Sequence, residues 1–360
     1  MKDSIPFEED RTALVRRARG GDALILAGGV AKGAFIAGAV LALAQTVPLR
    51  VRRIVATSSG ALSAVLLAAA IRDGRGLGVA GAELAAIWRE KATVAGAFDV
   101  SPGGIASRTG FSTSAKLLAL LRQYVRPARR RYPIELRLVM TNAAGDAGGE
   151  GEGEAGEREA TTFEHVESFS GPSFDDEEGL EEVFRAVCAS SAFPVAFQPV
   201  DMDVGGRRVP CFDGGLVDNA PVKLAVDDPS VTRVFVIAPY PAVYEGPPRL
   251  HGGPLLVHLA EILVQERLYR DVREAHATNR ALRELEELVP DARGRRAVLE
   301  AIGWKGRRPV EIVEIRPERA LPGGAFDGFC RPSLREAYID AGDEAARAWA
   351  EERALARKVG

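Results

Sequence analysis

Two apolar runs near the beginning of the chain each end in small residues and pass directly into a helical pattern. The first run, "DALILAGG" (22–29), precedes "AKGAFIAGAVLALAQTV", and the second, "VRRIVATS" (51–58), precedes "SGALSAVLLAAAIRDG". Fully apolar strands that alternate with helices are typical of a parallel sheet covered on both faces. The sequence therefore predicts an α/β fold with a mainly parallel central sheet and helices on both faces.

The remainder of the chain continues this alternation without an internal repeat or a clean linker. Further strands are predicted at "IELRLVMTNA" and "VTRVFVIAP", and long amphipathic helices at 254–288 and 333–356. We predict one domain over 21–350, preceded by an N-terminal extension of residues 1–20. The Gly/Glu-rich tract at 144–159 has no apolar face, so we expect a flexible loop between two paired strands there.

Charge and cysteine content exclude several kinds of partner. The chain has 47 Lys and Arg residues against 50 Asp and Glu residues, so no global basic field is available for binding nucleic acid. The three cysteines are widely separated and form no CxxC pair, which argues against a metal site and for a reducing compartment. We therefore expect no metal site.

Two segments bear on localisation. The opening "MKDSIPFEEDRTALVRRARGG" carries acidic residues and lacks the apolar core of a signal peptide. Residues 54–71 approach the length of a short transmembrane helix, but threonine, serine and glycine interrupt them. A strand that runs into a buried helix fits this stretch better. We therefore predict a cytoplasmic protein that contacts membranes only peripherally.

Ser58 lies at the second strand–helix junction, within the pattern A-x-S-x-G. A serine on such a strained turn projects its hydroxyl out of the sheet, and the residues two positions before and after it must be small. Ala56 and Gly60 meet that need for Ser58, whereas Ser59 has no glycine two residues after it. We therefore expect activity at this turn to depend on Ser58 rather than on Ser59. The motif alone is equally compatible with a tightly packed helix start.

The glycine turn at the first junction, "LILAGGVAKGAF", is neither of the common phosphate-binding motifs. No Gly-Lys-Ser/Thr closes a P-loop, and Val30 occupies the middle position of a dinucleotide fingerprint that also lacks its later acidic residue. Such a turn can present backbone N–H groups to a developing oxyanion, with Lys32 adding positive charge. A tight turn without a ligand is the alternative.

A third segment, "CFDGGLVDNAPVKLA", places Asp213 at a strand end before two glycines. Asp213 is either a turn residue that caps its own backbone or a carboxylate at the ligand-binding edge of the sheet. The four histidines are scattered over loops and a charged helix, and none is singled out as a catalyst. They are His165, His251, His258 and His276.

Together these segments resemble the patatin-like phospholipase family over residues 23–350. The segment "GGVAKGAF" resembles its oxyanion loop, "ATSSGA" its nucleophile elbow and "DGGLVDNAP" its acidic block, while "ASSAFPVAF" matches a fourth block with Ser-x-x-x-Pro. The resemblance implies a serine acyl hydrolase that uses a dyad of Ser58 and Asp213 without a histidine. Its substrates would be glycerophospholipids or related acyl lipids, cleaved at a carboxylic ester at a membrane or micelle surface.

The resemblance also assigns roles around the dyad. Gly28, Gly29 and Val30 would hold the oxyanion, with Lys32 supporting the charge. The residues that would support the elbow and loops are Gly33, Ala56, Gly60, Gly214 and Gly215. An ordinary Asp, with a pKa of about 3.9, is a poor base at neutral pH, so burial would have to raise the pKa of Asp213.

Three positions depart from the family pattern: Val30 and Ala56 replace glycines, and Lys32 replaces an arginine. We expect Val30 to adopt an ordinary β conformation, because Gly28 and Gly29 can supply any unusual backbone angles. Two alternatives remain open. One is a Ser–Asp–His hydrolase that uses His251 or His258, and the other is a lipid-binding or regulatory protein that keeps the fold without the activity.

Overall fold

One mixed sheet organises the part of the chain that the computed structural model describes, residues 20–99, 110–128, 131–146, 162–243 and 255–359. Its strands follow the order β5-β6-β3-β2-β1-β7-β8, and β4 pairs with β3. The strands are β1 (Gly21–Leu26), β2 (Val51–Thr57), β3 (Glu135–Asp146), β4 (Thr162–Phe169), β5 (Val200–Val204), β6 (Arg207–Asp213), β7 (Val231–Ile237) and β8 (Glu311–Ile315).

The strands β3, β2, β1, β7 and β8 run parallel to one another, whereas β4, β5 and β6 pair antiparallel. The predicted α/β fold with a mainly parallel sheet is therefore confirmed. The strand order changes direction at β1, because β2 and β3 follow on one side of it and β7 and β8 on the other. In open α/β sheets, ligands bind at the carboxyl ends of the strands next to such a point.

Helices cover both faces of the sheet, as predicted, and each face has its own apolar core. The α-helices are α1 (Ala34–Thr46), α2 (Ser59–Arg72), α3 (Gly76–Glu90), α4 (Val94–Ala97), α5 (Ala115–Tyr124), α6 (Glu177–Ser190), α7 (Val222–Val226), α8 (Leu255–Leu288), α9 (Ala292–Ala301), α10 (Asp327–Cys330) and α11 (Pro332–Val359). Short 3-10 helices are formed by Val30–Gly33, Gly171–Phe174 and Gly214–Leu216.

The closing helix α11 packs against α1 through two glycines. A Cβ on Gly38 would overlap the carbonyl oxygen of Ile339, and a Cβ on Gly342 would overlap that of Phe35. Because the two backbones touch at these points, α11 covers the sheet face that carries α1.

The limits of the single domain, 21–350, stay a prediction.

The structure bears on two predicted segments, the flexible loop at 144–159 and the apolar stretch at 54–71. Within the predicted loop 144–159, residues 144–146 belong to β3, a correction to the N-terminal limit of that loop, and residues 147–161 lie outside the described part. The apolar stretch 54–71 forms the end of β2 and most of α2. Across the described ranges, no helix is both long and apolar enough to cross a membrane.

Candidate active site

Ser58 stands alone between the end of β2 and the start of α2, with φ 57° and ψ −132°. This conformation is unfavourable for a residue with a side chain and is the strained turn that the A-x-S-x-G pattern predicts. Ala56 is fully buried two residues before, and a Cβ on Gly60 would overlap the carbonyl oxygen of Leu26. The small residues around Ser58 therefore allow α2 to pack directly against β1.

Strand β3 brings Asp213 to Ser58. Val139 of β3 pairs with Thr57, the last residue of β2, and the next residue, Met140, pairs with Asp213, the last residue of β6. Strand β6 thus begins to pair with β3 where β2 stops, and it arrives from the opposite direction. The two strand ends meet, although 155 residues of chain separate Ser58 from Asp213.

The hydroxyl of Ser58 donates a hydrogen bond of 2.5 Å to Oδ2 of Asp213. The other carboxylate oxygen, Oδ1, accepts a hydrogen bond of 2.9 Å from the N–H of Gly215. Asp213 is 1% exposed, and this burial raises the pKa of its carboxyl from 3.8 to about 7, against the opposing effect of the two hydrogen bonds. Burial thus gives the carboxylate a higher proton affinity than an exposed Asp has, as a base that accepts a proton near neutral pH needs.

Two serines at the end of α6 hold the backbone of Ser58. The N–H of Ser58 donates to Oγ of Ser190 at 3.1 Å, and the hydroxyl of Ser191 donates to the carbonyl oxygen of Ser58 at 2.8 Å. Ser190 in turn donates to the carbonyl oxygen of Val139. These contacts anchor the strained residue on both sides. Both serines lie in the segment "ASSAFPVAF", so the sequence held the signal, but it did not indicate this role.

The glycine loop after β1 departs from its predicted role. The N–H of Gly28 donates to Oδ1 of Asn219 at 2.8 Å, and the N–H of Gly29 donates to Oγ of Ser59 at 3.0 Å. Both donors are thus already engaged within the protein, and the prediction that they hold an oxyanion needs correction. The hydroxyl of Ser59 thus supports this loop, and the expectation that activity depends on Ser58 rather than on Ser59 stays a prediction. The role of Asn219 was missed, although it lies in the segment "DGGLVDNAP".

Val30 adopts φ 52°, whereas Gly29 is extended at φ −177°. The expectation that the glycines supply the unusual angles is therefore wrong. Gly28 and Gly29 are instead required for space, because a Cβ on Gly28 would overlap that of Ser58 and one on Gly29 would overlap the ring of Pro239. A β-branched residue at positive φ carries strain of about 1–3 kcal/mol.

Lys32 is paired with an acidic residue of α8. Its Nζ lies 4.0 Å from Oε1 of Glu261, and both side chains are largely buried. Burial lowers the pKa of the Lys32 ammonium, while Glu261 and Asp327 oppose that effect. Lys32 is therefore a buried cation that forms an ion pair with Glu261, and it does not line the cavity at Ser58.

The remaining predicted support residues lie around this centre. A Cβ on Gly33 would overlap the hydroxyl of Ser59, and one on Gly214 would overlap the carbonyl oxygen of Val139. Gly215 contributes its N–H to Asp213. Gly33 and Gly214 are thus required for close packing, and Gly215 supports the carboxylate through its backbone.

An apolar cavity with an empty volume of about 840 Å³ opens beside Ser58. Val30, Ser59 and Ser191 line it together with Ser58, and leucines of α2, α3 and α5 form much of its remaining wall. Phe197 and Phe329 complete one side and are packed against Phe98. An apolar lining of this kind suits a hydrocarbon group.

The described histidines contact glutamates, and neither is hydrogen-bonded to Ser58 or Asp213 in the described part of the chain. His165 contacts Glu167 at 3.0 Å and His276 contacts Glu314 at 2.8 Å. The side chains of His251 and His258 lie outside the described residues. Within the described ranges, no group of three or more metal-ligating side chains comes together, and the cysteines Cys188, Cys211 and Cys330 are free.

The fold and site together define an α/β protein with a serine–aspartate pair at the carboxyl edge of a mixed sheet. A family model described as patatin-like phospholipase matches residues 24–226, and the chain belongs to this family. Patatin-like proteins are in general lipid acyl hydrolases. Residues after 226 also contact the site, because Glu261 pairs with Lys32 and the carbonyl oxygen of Ala325 accepts from the N–H of Ala31.

No curated protein sequence matches the chain. Among solved structures, VipD from Legionella pneumophila is similar with a TM-score of 0.39 and 13% sequence identity, over 93% of this chain and 67% of that protein.

Proposed function

We propose that the protein hydrolyses carboxylic esters of acyl lipids, such as glycerophospholipids, by a phospholipase A-type reaction at Ser58 and Asp213. The observation that carries this proposal is the 2.5 Å hydrogen bond from the Ser58 hydroxyl to the buried Asp213 carboxylate, beside an apolar cavity. Membership in the patatin-like family supports the substrate class. The three free cysteines fit a reducing, cytoplasmic compartment, with peripheral contact to a lipid surface.

Asp213 acts as the base in this reaction. As Oγ of Ser58 attacks the ester carbonyl carbon, its proton passes to Oδ2 of Asp213, which then protonates the departing alkoxide. Water next attacks the acyl-enzyme and gives its proton to Asp213, and the carboxylic acid leaves as Ser58 is restored. The raised pKa of Asp213, about 7, brings its proton affinity closer to that needed for both transfers.

We assign the oxyanion donors to the N–H groups of Val30 and Ser59 in place of those of Gly28 and Gly29. Both residues line the cavity next to Ser58, and neither N–H has an acceptor among the described residues. Ser59 is the first residue of α2, so its N–H has no partner within the helix and lies at the positive end of the helix dipole. The engaged N–H groups of Gly28 and Gly29 fix the loop that carries Val30.

A second candidate is a lipid-binding protein without hydrolytic activity. It is favoured by the engaged N–H groups of Gly28 and Gly29 and by the pairing of Lys32 with Glu261, which leave fewer donors for an oxyanion. Such a protein would use the same cavity but would not react with an electrophile.

Labelling with a fluorophosphonate probe distinguishes the two candidates. We expect Ser58 to be modified in the wild-type protein, and we expect Ser58→Ala to lose both labelling and hydrolysis of short p-nitrophenyl esters. Asp213→Asn is expected to lose hydrolysis while remaining folded by circular dichroism. Single substitution of His251 or His258 by Ala is expected to lower kcat by less than a hundredfold. An unlabelled wild-type protein that binds lipid would support the second candidate instead.

A further inference from the structure

The catalytic loop, residues 213–220, packs against helix α8. Leu268 and Val272 of α8 belong to the same apolar core as Ala220. Between these two positions on the helix lies Asp271, whose carboxyl group is in hydrogen-bond contact with that of Asp218. Asp218 is 5% exposed, so the contact between α8 and the catalytic loop contains a pair of acids, one of them almost fully buried.

Asp218 also connects the two halves of the site. Its carbonyl oxygen accepts a hydrogen bond of 3.2 Å from the hydroxyl of Thr57, the residue before Ser58. Its Oδ1 accepts a hydrogen bond of 3.1 Å from the N–H of Ala220. The residue enclosed by this turn is Asn219, whose side chain anchors the glycine loop after β1. The position of Asp218 therefore affects the nucleophile turn and the glycine loop together.

The contact between the two acids requires a proton. Ionised carboxylates only accept hydrogen bonds, so a hydrogen bond between Asp218 and Asp271 needs a proton on one of them. Oδ2 of Asp271 is buried, and among the described residues no N–H or hydroxyl group donates to it. Two ionised carboxylates in this position would be costly, because neither charge is fully solvated and the charges repel each other. A single proton shared by the pair leaves one charge and lowers that cost.

Charged groups from three elements act on the pair of Asp218 and Asp271. They are Glu164 of β4, Lys223 of α7, and Arg267 and Arg270 of α8. Lys223 is already paired with Glu164 at 2.9 Å, so its charge is partly offset. Burial outweighs the cations: together with the charge of Asp271 it raises the pKa of Asp218 to about 8, and it also raises the pKa of Asp271. The charged surroundings are therefore compatible with a proton that stays on the pair at neutral pH.

We infer that Asp271 is a positioning residue for the dyad and that the proton it shares with Asp218 holds α8 against the catalytic loop. The inference rests on the proposed function, because its effect is on the reaction at Ser58. When the pair releases this proton to solvent, two negative charges face each other at a buried contact and push α8 away from the loop. Thr57 and Asn219 then lose the support of Asp218. Activity is therefore expected to fall as pH rises through the ionisation of the pair.

The pH dependence of kcat/KM for p-nitrophenyl butyrate tests this inference. In wild type, kcat/KM should fall about fivefold or more from pH 7.5 to pH 9, since a group with a pKa of about 8 keeps its proton in only about a tenth of the molecules at pH 9. Asp271→Asn keeps a donor toward Asp218 without the second charge, so it should lose this decline. Asp271→Ala has no such donor and should lower kcat at both pH values. Glu274→Gln, which removes an exposed carboxylate of α8, is the matched control and should keep the wild-type decline.

Hydrogen exchange followed by mass spectrometry separates this inference from the proposed function, because it needs no turnover. After correction for intrinsic exchange rates, peptides covering 213–222 should exchange faster at pH 9 than at pH 7 in wild type and in Glu274→Gln, but equally fast in Asp271→Asn. Asp218→Asn, which removes the same charge from the other side of the pair, replaces Asp271→Asn if that variant does not fold. This exchange pattern in a protein that hydrolyses no ester would support the pair and contradict the proposed function. Ester hydrolysis with the same decline and the same exchange rates in Asp271→Asn as in wild type would overturn the inference and leave the hydrolase intact.

Discussion

The buried carboxylate of Asp213 makes the folded protein less stable as pH rises, and Asp213→Asn should remove that cost. Burial raises the pKa of this acid from 3.8 to about 7, so between these values the folded state binds a proton that the unfolded state has released. Stability from this group is therefore lost as pH rises through that window. Integrating the difference between pH 5 and pH 8 gives roughly 2–3 kcal/mol, since each pKa unit corresponds to about 1.4 kcal/mol.

An asparagine at this position preserves the local hydrogen bonds. Its amide oxygen can accept from the N–H of Gly215, as Oδ1 of Asp213 does, and its NH2 can donate to the hydroxyl of Ser58, which accepts as well as donates. The variant therefore differs from wild type mainly in the missing charge. Relative to wild type, we expect its free energy of unfolding to increase by roughly 2–3 kcal/mol from pH 5 to pH 8.

Urea denaturation followed by circular dichroism at four pH values measures this difference. Burial beside Asp271 also raises the pKa of Asp218, to about 8, but this residue titrates in both proteins and cancels in the comparison. Asp201→Asn, which removes one carboxylate at an exposed position of β5, is the matched control. If the difference between Asp213→Asn and wild type were constant between pH 5 and pH 8, the raised pKa of Asp213 would be refuted.

Three further substitutions test the backbone of the site. Val30→Gly should raise the free energy of unfolding by about 1 kcal/mol, because glycine adopts φ 52° without strain. A lower melting temperature than that of wild type in thermal denaturation would contradict this prediction. Asn219→Ala should lower kcat about tenfold or more by leaving the N–H of Gly28 without an acceptor, whereas Asn219→Asp keeps the acceptor, so equal losses would exclude this role. Gly60→Ala should destabilise the protein by about 2–3 kcal/mol through overlap with Leu26, while Gly78→Ala, at an open helix position, should stabilise it slightly; similar melting temperatures would argue against close packing at Gly60.

Local patterns in the sequence predicted the first two strands of the sheet and the strained turn at Ser58. The apolar runs before Gly28 and Ser58 predicted two parallel strands, since a strand without polar alternation must be covered on both faces. The small residues around Ser58 predicted its strained turn, which has φ 57°. These features depend on residues within a few positions of one another, so their spacing is readable along the chain. The family resemblance extended the prediction to Asp213, which the sequence pattern alone left as a possible turn residue.

Only the tertiary structure decided which groups meet in the site. Asp213 reaches Ser58 because β3 pairs with β2 up to Val139 and with β6 from Met140, a register that no local pattern encodes. The N–H groups of Gly28 and Gly29 proved to be engaged by Asn219 and Ser59, which approach from other segments. The apolar cavity likewise arises where three helices leave a space between them. Local conformation follows from each residue's own steric limits, whereas hydrogen-bond partners, burial and empty volume exist only after distant segments have packed together.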